Sequence, residues 1–174
     1  MLERGRITLI TGKVTHFEMS GFVALLAVGL LLSGCYIIDN PPRTLQMAAF
    51  KGNKKAVNRF LSEGISVNAH GEQGETALHY AVYGKQKSMV ETLLEKGANV
   101  EAKNAASRTP LHAAAWKGYV DIAGILIAKG TNVNAKDNKG MTALDCAEQQ
   151  GHGGMMELLR NHGAIRGTQK DKNP

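Results

Sequence analysis

A motif that recurs every 33 residues constrains the fold of this 174-residue chain more than any other feature. Its copies read TALHYAV at 76–82, TPLHAAA at 109–115, TALDCAE at 142–148 and, more weakly, RTLQMAA at 43–49. No insertion breaks the phase. A fixed period of this length is typical of repeat proteins, in which each unit buries its apolar face against its neighbours. The sequence therefore predicts a stack of four units.

The second half of each unit repeats in phase with the first. Apolar residues recur at Leu61, Leu94 and Ile127, and asparagine recurs at Asn68 and Asn134. A glycine column follows the apolar one, and its members are Gly64, Gly97, Gly130 and Gly163. Glycine tolerates the positive φ at which helices commonly end, so we expect a helix to stop at each of them.

The motif itself marks the start of another helix. Thr76, Thr109 and Thr142 stand where a hydroxyl caps a helix N-terminus,. Pro110 follows in the first turn, where its missing N–H is not needed. One small residue per unit lets neighbouring helices approach closely, and these residues are Ala48, Ala81, Ala114 and Ala147.

This pattern resembles the ankyrin repeat over residues 43–166. The resemblance implies an all-α solenoid of about four helix-turn-helix repeats with short β-turn loops. The repeats are expected at about 38–70, 71–103, 104–136 and 137–166, with a disordered tail at 167–174. Two residues depart from the pattern, because Lys85 and Ser107 stand where the family has glycine in turns.

Charged residues mark the end of the array. Glu148 lies in the column of Ala49, Val82 and Ala115, and Arg160 lies in the column of Leu61, Leu94 and Ile127. A last repeat that faces water needs such polar replacements. We therefore expect the stack to end after four units.

No group of residues suited to catalysis or to binding a metal or cofactor stands out. The chain has no H-E-x-x-H motif and no P-loop,. His79 and His112 are possible catalytic or metal residues in isolation, but the resemblance implies that they bond loop backbone between repeats. Cys146 lies within an expected helix, where a buried, unreactive thiol is the ordinary interpretation. The sequence predicts neither an enzyme nor a cofactor.

Charge and composition argue against nucleic acid as a partner. The net charge is +6, but acidic residues alternate with Lys and Arg, and no run of five like charges occurs. Nucleic-acid binding needs clustered basic residues. Aromatic residues make up only 5%, which suits a repeat stack that covers itself with small aliphatic side chains,.

The N-terminal region has the features of an export signal. An unbroken apolar run at 22–32 follows a basic stretch and, as a helix, spans about 16 Å, roughly half of a bilayer core,. It ends in Leu32-Ser33-Gly34-Cys35, which resembles the lipobox of bacterial lipoproteins. The resemblance implies that 1–34 is a cleaved signal, that Cys35 is lipidated, that the acyl chains anchor the protein in the membrane, and that 35–42 is a linker.

The resemblance also implies a location and leaves alternatives. Tyr36, rather than Asp, after Cys35 indicates outer-membrane sorting and a protein that faces the periplasm. In the alternative, the signal stays uncleaved as an anchor that extends through Ile38. Translation could start at Met1, which gives a long signal, or at Met19, which leaves no Lys or Arg before the apolar run.

The resemblance implies that variable residues at the loop tips and at the exposed end of each first helix form one concave binding face. In this chain the column after the small residues is aromatic in three repeats, and lysines flank it. The predicted partner-binding residues are Phe50, Lys51, Glu72, Gln73, Glu75, Tyr83, Ala105, Ala106, Arg108, Trp116, Lys117, Asn138, Lys139, Met141, Gln149 and Gln150.

Together these features predict a lipid-anchored periplasmic module, monomeric when unbound, that binds another protein. One specific role is an immunity protein that neutralises a secreted antibacterial toxin. A second is a partner or protector of an envelope or stress-response enzyme. A third is an ankyrin scaffold on the cytosolic side of a membrane, if the apolar run is an anchor.

Overall fold

The computed structural model describes residues 44–167. This part of the chain contains four helix pairs and no β-strand. The helices are α1 Leu45–Phe50, α2 Lys54–Ser62, α3 Ala77–Tyr83, α4 Lys87–Glu95, α5 Pro110–Lys117, α6 Val120–Ala128, α7 Ala143–Gln149 and α8 Gly153–Asn161. The first helices pack in series, α1 on α3, α3 on α5 and α5 on α7, while α4 packs on α6 and α6 on α8. The predicted all-α solenoid is confirmed.

The threonine column caps the first helices as predicted. Thr76, Thr109 and Thr142 have extended backbone and are the N-caps of α3, α5 and α7. In each case the residue three positions later bonds back to the threonine backbone N–H, which completes a reciprocal pair of caps,. These bonds satisfy N–H groups that the first turn of a helix leaves without a partner.

The first repeat starts one residue later than its motif predicts. Its counterpart of the threonines is Arg43, which carries no short hydroxyl side chain. The next residue, Thr44, is the N-cap instead, and its hydroxyl accepts a 3.1 Å hydrogen bond from the Met47 N–H. Helix α1 consequently begins at Leu45.

Lys85 and Ser107 keep the turn geometry of the glycines that they replace. Lys85 has φ 54° and Ser107 has φ 57°, close to the values of Gly118 at 70° and Gly74 at 73° in the same columns. A left-handed backbone costs a residue with a Cβ atom roughly 1–2 kcal/mol. The repeat geometry therefore overrides the preference of these two residues.

Small residues set the spacing between repeats. The alanine column is fully buried, with 0% exposure at Ala48, Ala81, Ala114 and Ala147. Gly84 makes the closest approach, because a Cβ atom built there would lie 2.1 Å from the Phe50 carbonyl oxygen. The first two repeats can therefore nest only because this residue has no side chain.

The two recurring asparagines each join their loop to the loop of the next repeat. Asn68 donates to the Gly97 carbonyl and accepts from the Asn99 N–H, at 3.1 and 2.7 Å. Asn134, two repeats later, makes the same pair of bonds to the Gly163 carbonyl and the Ile165 N–H. Side-chain amides supply a donor and an acceptor together, which explains why this residue type recurs.

Ion pairs close the last repeat. Glu148 pairs with Arg160 at 2.8 Å and with Arg166 at 2.7 Å, so the two charges predicted to end the stack contact each other. Gly167 still belongs to this repeat, because its N–H donates to Asp145 at 2.8 Å. The rest of the predicted tail, 168–174, lies outside the described residues.

Candidate functional site

The aromatic column opens onto a groove on one side of the stack. Phe50, Tyr83 and Trp116, one from each of the first three repeats, line a cavity of about 440 Å³. Phe50 is 42% exposed and Trp116 is 38% exposed, whereas Tyr83 is half-buried. We call this cavity the aromatic groove. The three residues that were predicted to form one face are therefore brought together, with Arg108 and Lys117 beside them.

The aromatic groove exists because one column changes from large to small residues along the stack. This column reads Met47, Tyr80, Ala113 and Cys146. The side chains of Ala113 and Cys146 line the groove and are 5% and 1% exposed, so they form its floor. These two residues were not predicted to belong to the site, although the change from large to small residues in their column is visible in the sequence.

Tyr83 is fixed by the loop before its helix. Its hydroxyl donates to Glu75 Oε1 at 2.7 Å, and its ring meets that of Tyr80 edge-on, with 6.2 Å between centroids. Burial, together with the Glu75 carboxylate that accepts this bond, raises the pKa of Tyr83. Glu75 is thus a half-buried residue that positions Tyr83, rather than a loop-tip contact that projects into solvent.

Arg108 holds Trp116 in a similar way. Its guanidinium lies over the indole at 5.9 Å from the ring centroid, and its Nε donates to Asp137 Oδ2 at 3.2 Å. The Asp137 side chain is only 2% exposed. Burial alone would raise the pKa of Asp137, but the N–H groups of Met141 and Lys139 and the Arg108 guanidinium hold it below its usual range. Asp137 was missed because its sequence context resembles an ordinary polar loop.

The loop tips lie side by side and bond to one another. Ala105 N–H donates to the Gln73 carbonyl at 2.8 Å, and Asn138 N–H donates to the Ala106 carbonyl at 3.0 Å. Glu72 and Lys139 are exposed on the same loops. The backbone of these tips is therefore engaged within the stack, and the exposed side chains are what a partner could contact.

Met141 is a second predicted contact residue that does not project into solvent. Met141 is 6% exposed, and its backbone N–H donates to Asp137 Oδ1 at 3.0 Å. The chain has already turned inward at this position to begin α7, so the thioether packs in the core. Gln149 Nε2 contacts its sulfur at 3.6 Å from the solvent side.

The polar residues at the end of the first helices are exposed as expected. Lys51, Lys117, Gln149 and Gln150 all face solvent. Gly84 stands in the second repeat at the position of Lys51 and Lys117 in the first and third repeats. It carries no side chain and lies against the Phe50 carbonyl. The positive rim is consequently interrupted at the second repeat.

His79 and His112 form hydrogen bonds that join neighbouring repeats. His79 Nε2 donates to the Arg108 carbonyl at 3.0 Å, and His112 Nε2 donates to the Met141 carbonyl at 3.1 Å, each in the following repeat. Their Nδ1 atoms accept from Thr76 and Thr109. This arrangement requires the neutral Nε2–H tautomer. Burial lowers the pKa of both imidazoles, and the predicted bonds between repeats are confirmed.

The Cys146 thiol lines the floor of the groove and is buried. Burial raises the pKa of the Cys146 thiol to about 11, so this thiol stays protonated at neutral pH,.

Within residues 44–167, His, Cys, Asp and Glu side chains form no cluster that could hold a metal ion. In the same range no helix combines the length and apolar character needed to cross a bilayer. Cys35, the predicted lipidation site, lies outside the described residues.

Comparison with known families assigns the repeats. A family model described as ankyrin repeats (three copies) matches residues 22–104 and again residues 101–171. No curated protein matches the chain. The matched ranges include all eight helices and the aromatic groove. The chain therefore belongs to the ankyrin-repeat family, whose repeats are protein–protein interaction modules.

Proposed function

We propose that the protein binds another protein through the aromatic groove and the exposed loop tips beside it. The observation that carries this proposal is the exposure of Phe50 and Trp116 around an open cavity. Exposed aromatic residues with charged neighbours are the usual composition of interface hot spots. Tyr83 and Trp116 are already held by Glu75 and Arg108, which lowers the entropy cost of binding,.

Alanine substitution tests this proposal. We expect Trp116→Ala, alone or with Tyr83→Ala, to abolish capture of the partner from native envelope extracts while the single variant keeps its melting temperature. The matched control is Ile65→Ala with Val120→Ala, which removes two other exposed apolar side chains that do not line the groove. Unchanged capture by the Trp116 variant would refute the proposal.

We propose in addition that the module is tethered to a bacterial envelope membrane through lipidated Cys35 and faces the periplasm. The apolar run at 22–32 and the LSGC sequence that follows support this location. Multiple acyl chains would anchor the protein stably.

Metabolic labelling with a clickable fatty acid tests the anchor. We expect labelling to be lost in Cys35→Ser and kept in Cys146→Ala, which changes the chain's other cysteine. Labelling that persists in Cys35→Ser would exclude lipidation at this residue. An unlabelled, membrane-bound wild type would instead favour an uncleaved anchor, with the repeats acting as a scaffold on the cytosolic side.

For the biological role, we propose an immunity protein that occludes a secreted antibacterial toxin. Two features support it, namely the aromatic groove, which suits a protein partner, and a predicted tether on the side of the membrane where such toxins arrive. We expect a strain that lacks the protein to be killed by its parent in mixed culture, and to be rescued by the wild type but not by Trp116→Ala. Equal survival of both strains, with capture of an envelope or stress-response enzyme, would favour the role of enzyme partner.

A further inference from the structure

We infer that the aromatic groove accepts a segment of the partner protein in which a large apolar side chain lies next to an aspartate or glutamate. This inference rests on the proposed function and adds the chemistry of the partner. It follows from the shape of the groove floor and from the signs of the charges around it.

The floor lacks the volume that the same column supplies in the first two repeats. Met47 and Tyr80 occupy this column in α1 and α3, whereas Ala113 and Cys146 place only a methyl group and a thiol at the groove. The open cavity of about 440 Å³ is large enough to admit a side chain. Its walls are aromatic rings and its floor is a methyl group and a protonated thiol, so an apolar side chain fits it best.

Among the residues that line the groove, the only charged side chains are positive. Lys117 is exposed at the rim, and Arg108 lies over Trp116 with a side chain that is 35% exposed. His112 is neutral, because its Nδ1 accepts a hydrogen bond from the Thr109 N–H while its Nε2–H donates to the Met141 carbonyl. Tyr83 is neutral, because its hydroxyl donates to Glu75.

The acidic residues nearby are already engaged. Asp137 is buried under Arg108, and Glu75 accepts the bond from Tyr83. A partner carboxylate would therefore meet Lys117 and the outer edge of the Arg108 guanidinium, which can bind it in a bidentate manner. A partner lysine or arginine would meet like charges instead. Charge complementarity of this kind sets specificity as well as association rate.

The position of Trp116 provides a direct test, because it is the only tryptophan in the chain. Its fluorescence can be titrated in the full-length protein, held in a non-ionic detergent, with short synthetic peptides. One set places Phe or Leu beside Asp or Glu, a second replaces the acids by lysine, and a third replaces Phe or Leu by alanine. We expect only the first set to give a saturable change, and its affinity to fall as salt rises.

Two variants and a control locate the binding. Lys117→Glu should weaken the acidic peptides by about tenfold or more, because it reverses the rim charge. Ala113→Met should abolish binding by filling the floor with the residue that repeat one already carries there. Lys87→Glu, an equal charge change outside the groove, should bind like the wild type. Circular dichroism checks that each variant keeps its helices.

Equal binding of the lysine peptides, or no binding by any peptide, would overturn the inference. If the acidic peptides fail while Trp116→Ala still abolishes capture of the native partner, the proposed function stands and only the partner chemistry is wrong. If the acidic peptides bind but capture of the native partner does not depend on Trp116, the groove chemistry is right and the proposed function fails.

Discussion

At the scale of single residues, the two buried histidines make the stack sensitive to acid. Each must stay neutral, because its Nε2–H donates across a repeat boundary while its Nδ1 accepts from a threonine. A protonated Nδ1 would lose its acceptor role inside a buried site. Burial accordingly lowers the pKa of both residues from the ordinary value of 6.5.

We predict that the free energy of unfolding falls as the pH drops below about 6.5. In that range the unfolded chain binds protons at His79 and His112 that the folded chain excludes. The two histidines together add at most about 2.7 kcal/mol per pH unit to the slope of the unfolding free energy against pH. Urea titrations at pH values from about 7.5 to about 4.5 measure this dependence. These limits lie about one to two units on either side of the ordinary histidine pKa.

The double variant His79→Gln with His112→Gln should lose most of that slope. Glutamine cannot titrate, and Gln46 already donates to a loop carbonyl, that of Ala69, from the same column at 3.0 Å. His162→Gln, at an exposed position, should keep the wild-type slope. An unchanged slope in the double variant would show that other groups cause the acid sensitivity.

At the scale of secondary-structure elements, two glycines that look alike in the sequence have opposite roles. Gly84 ends α3 against the Phe50 carbonyl of α1, so its lack of a Cβ atom sets the spacing between the first helices. Gly124 lies inside α6, and a Cβ atom added there would meet nothing within 4 Å. Glycine inside a helix has only a conformational cost.

We predict opposite changes in stability for the two alanine variants. Gly124→Ala should raise the free energy of unfolding by roughly 0.5–1 kcal/mol, because alanine loses less backbone entropy in a helix. Gly84→Ala should lower it by about 1–3 kcal/mol, because the first repeat must move away from the second. Chemical denaturation measures both changes, and a neutral or stabilising Gly84→Ala would contradict the structure.

Hydrogen exchange refines the Gly84 prediction. Neighbouring repeats stabilise one another mainly across their shared interface. The amides of α1 and α2 should therefore lose protection in Gly84→Ala, while those of α5 and α6 stay close to wild type. A uniform loss over all repeats would instead indicate that the stack unfolds as one unit.

At the scale of the whole molecule, ion pairs cover the outer face of the last described repeat. Internal members of the Glu148 column, such as Val82 and Ala115, are fully buried by the next repeat. Glu148 instead pairs with Arg160 and Arg166 on a surface that meets solvent. A terminal repeat with a polar outer face keeps such stacks soluble.

We predict that Glu148→Ala with Arg160→Leu makes the protein self-associate. The change gives the last repeat an internal apolar surface with nothing to cover it. Sedimentation velocity should show concentration-dependent dimers or larger species. The control, Glu91→Ala with Lys129→Leu, makes the same changes at two other exposed positions. If the double variant and the control both stay monomeric, the ion pairs are not what prevents self-association through the last repeat.

The repeat, its phase and most of its architecture could be predicted from the order of the residues alone. Period, threonine caps, glycine ends and the charged last unit act within one repeat or between neighbours, so local chemistry predicts them. The resemblance to the ankyrin pattern implied the role of the inter-repeat histidines, and the period placed Phe50, Tyr83 and Trp116 on one face, since residues 33 apart lie in adjacent units.

What that face offers to a partner depends on the three-dimensional packing of the repeats. It buried Met141, turned Glu75 toward Tyr83, and placed Arg108 between Asp137 and Trp116. It also opened the groove above Ala113. These outcomes depend on how side chains from three repeats share one volume, and the packing of that volume is not a property of any single repeat.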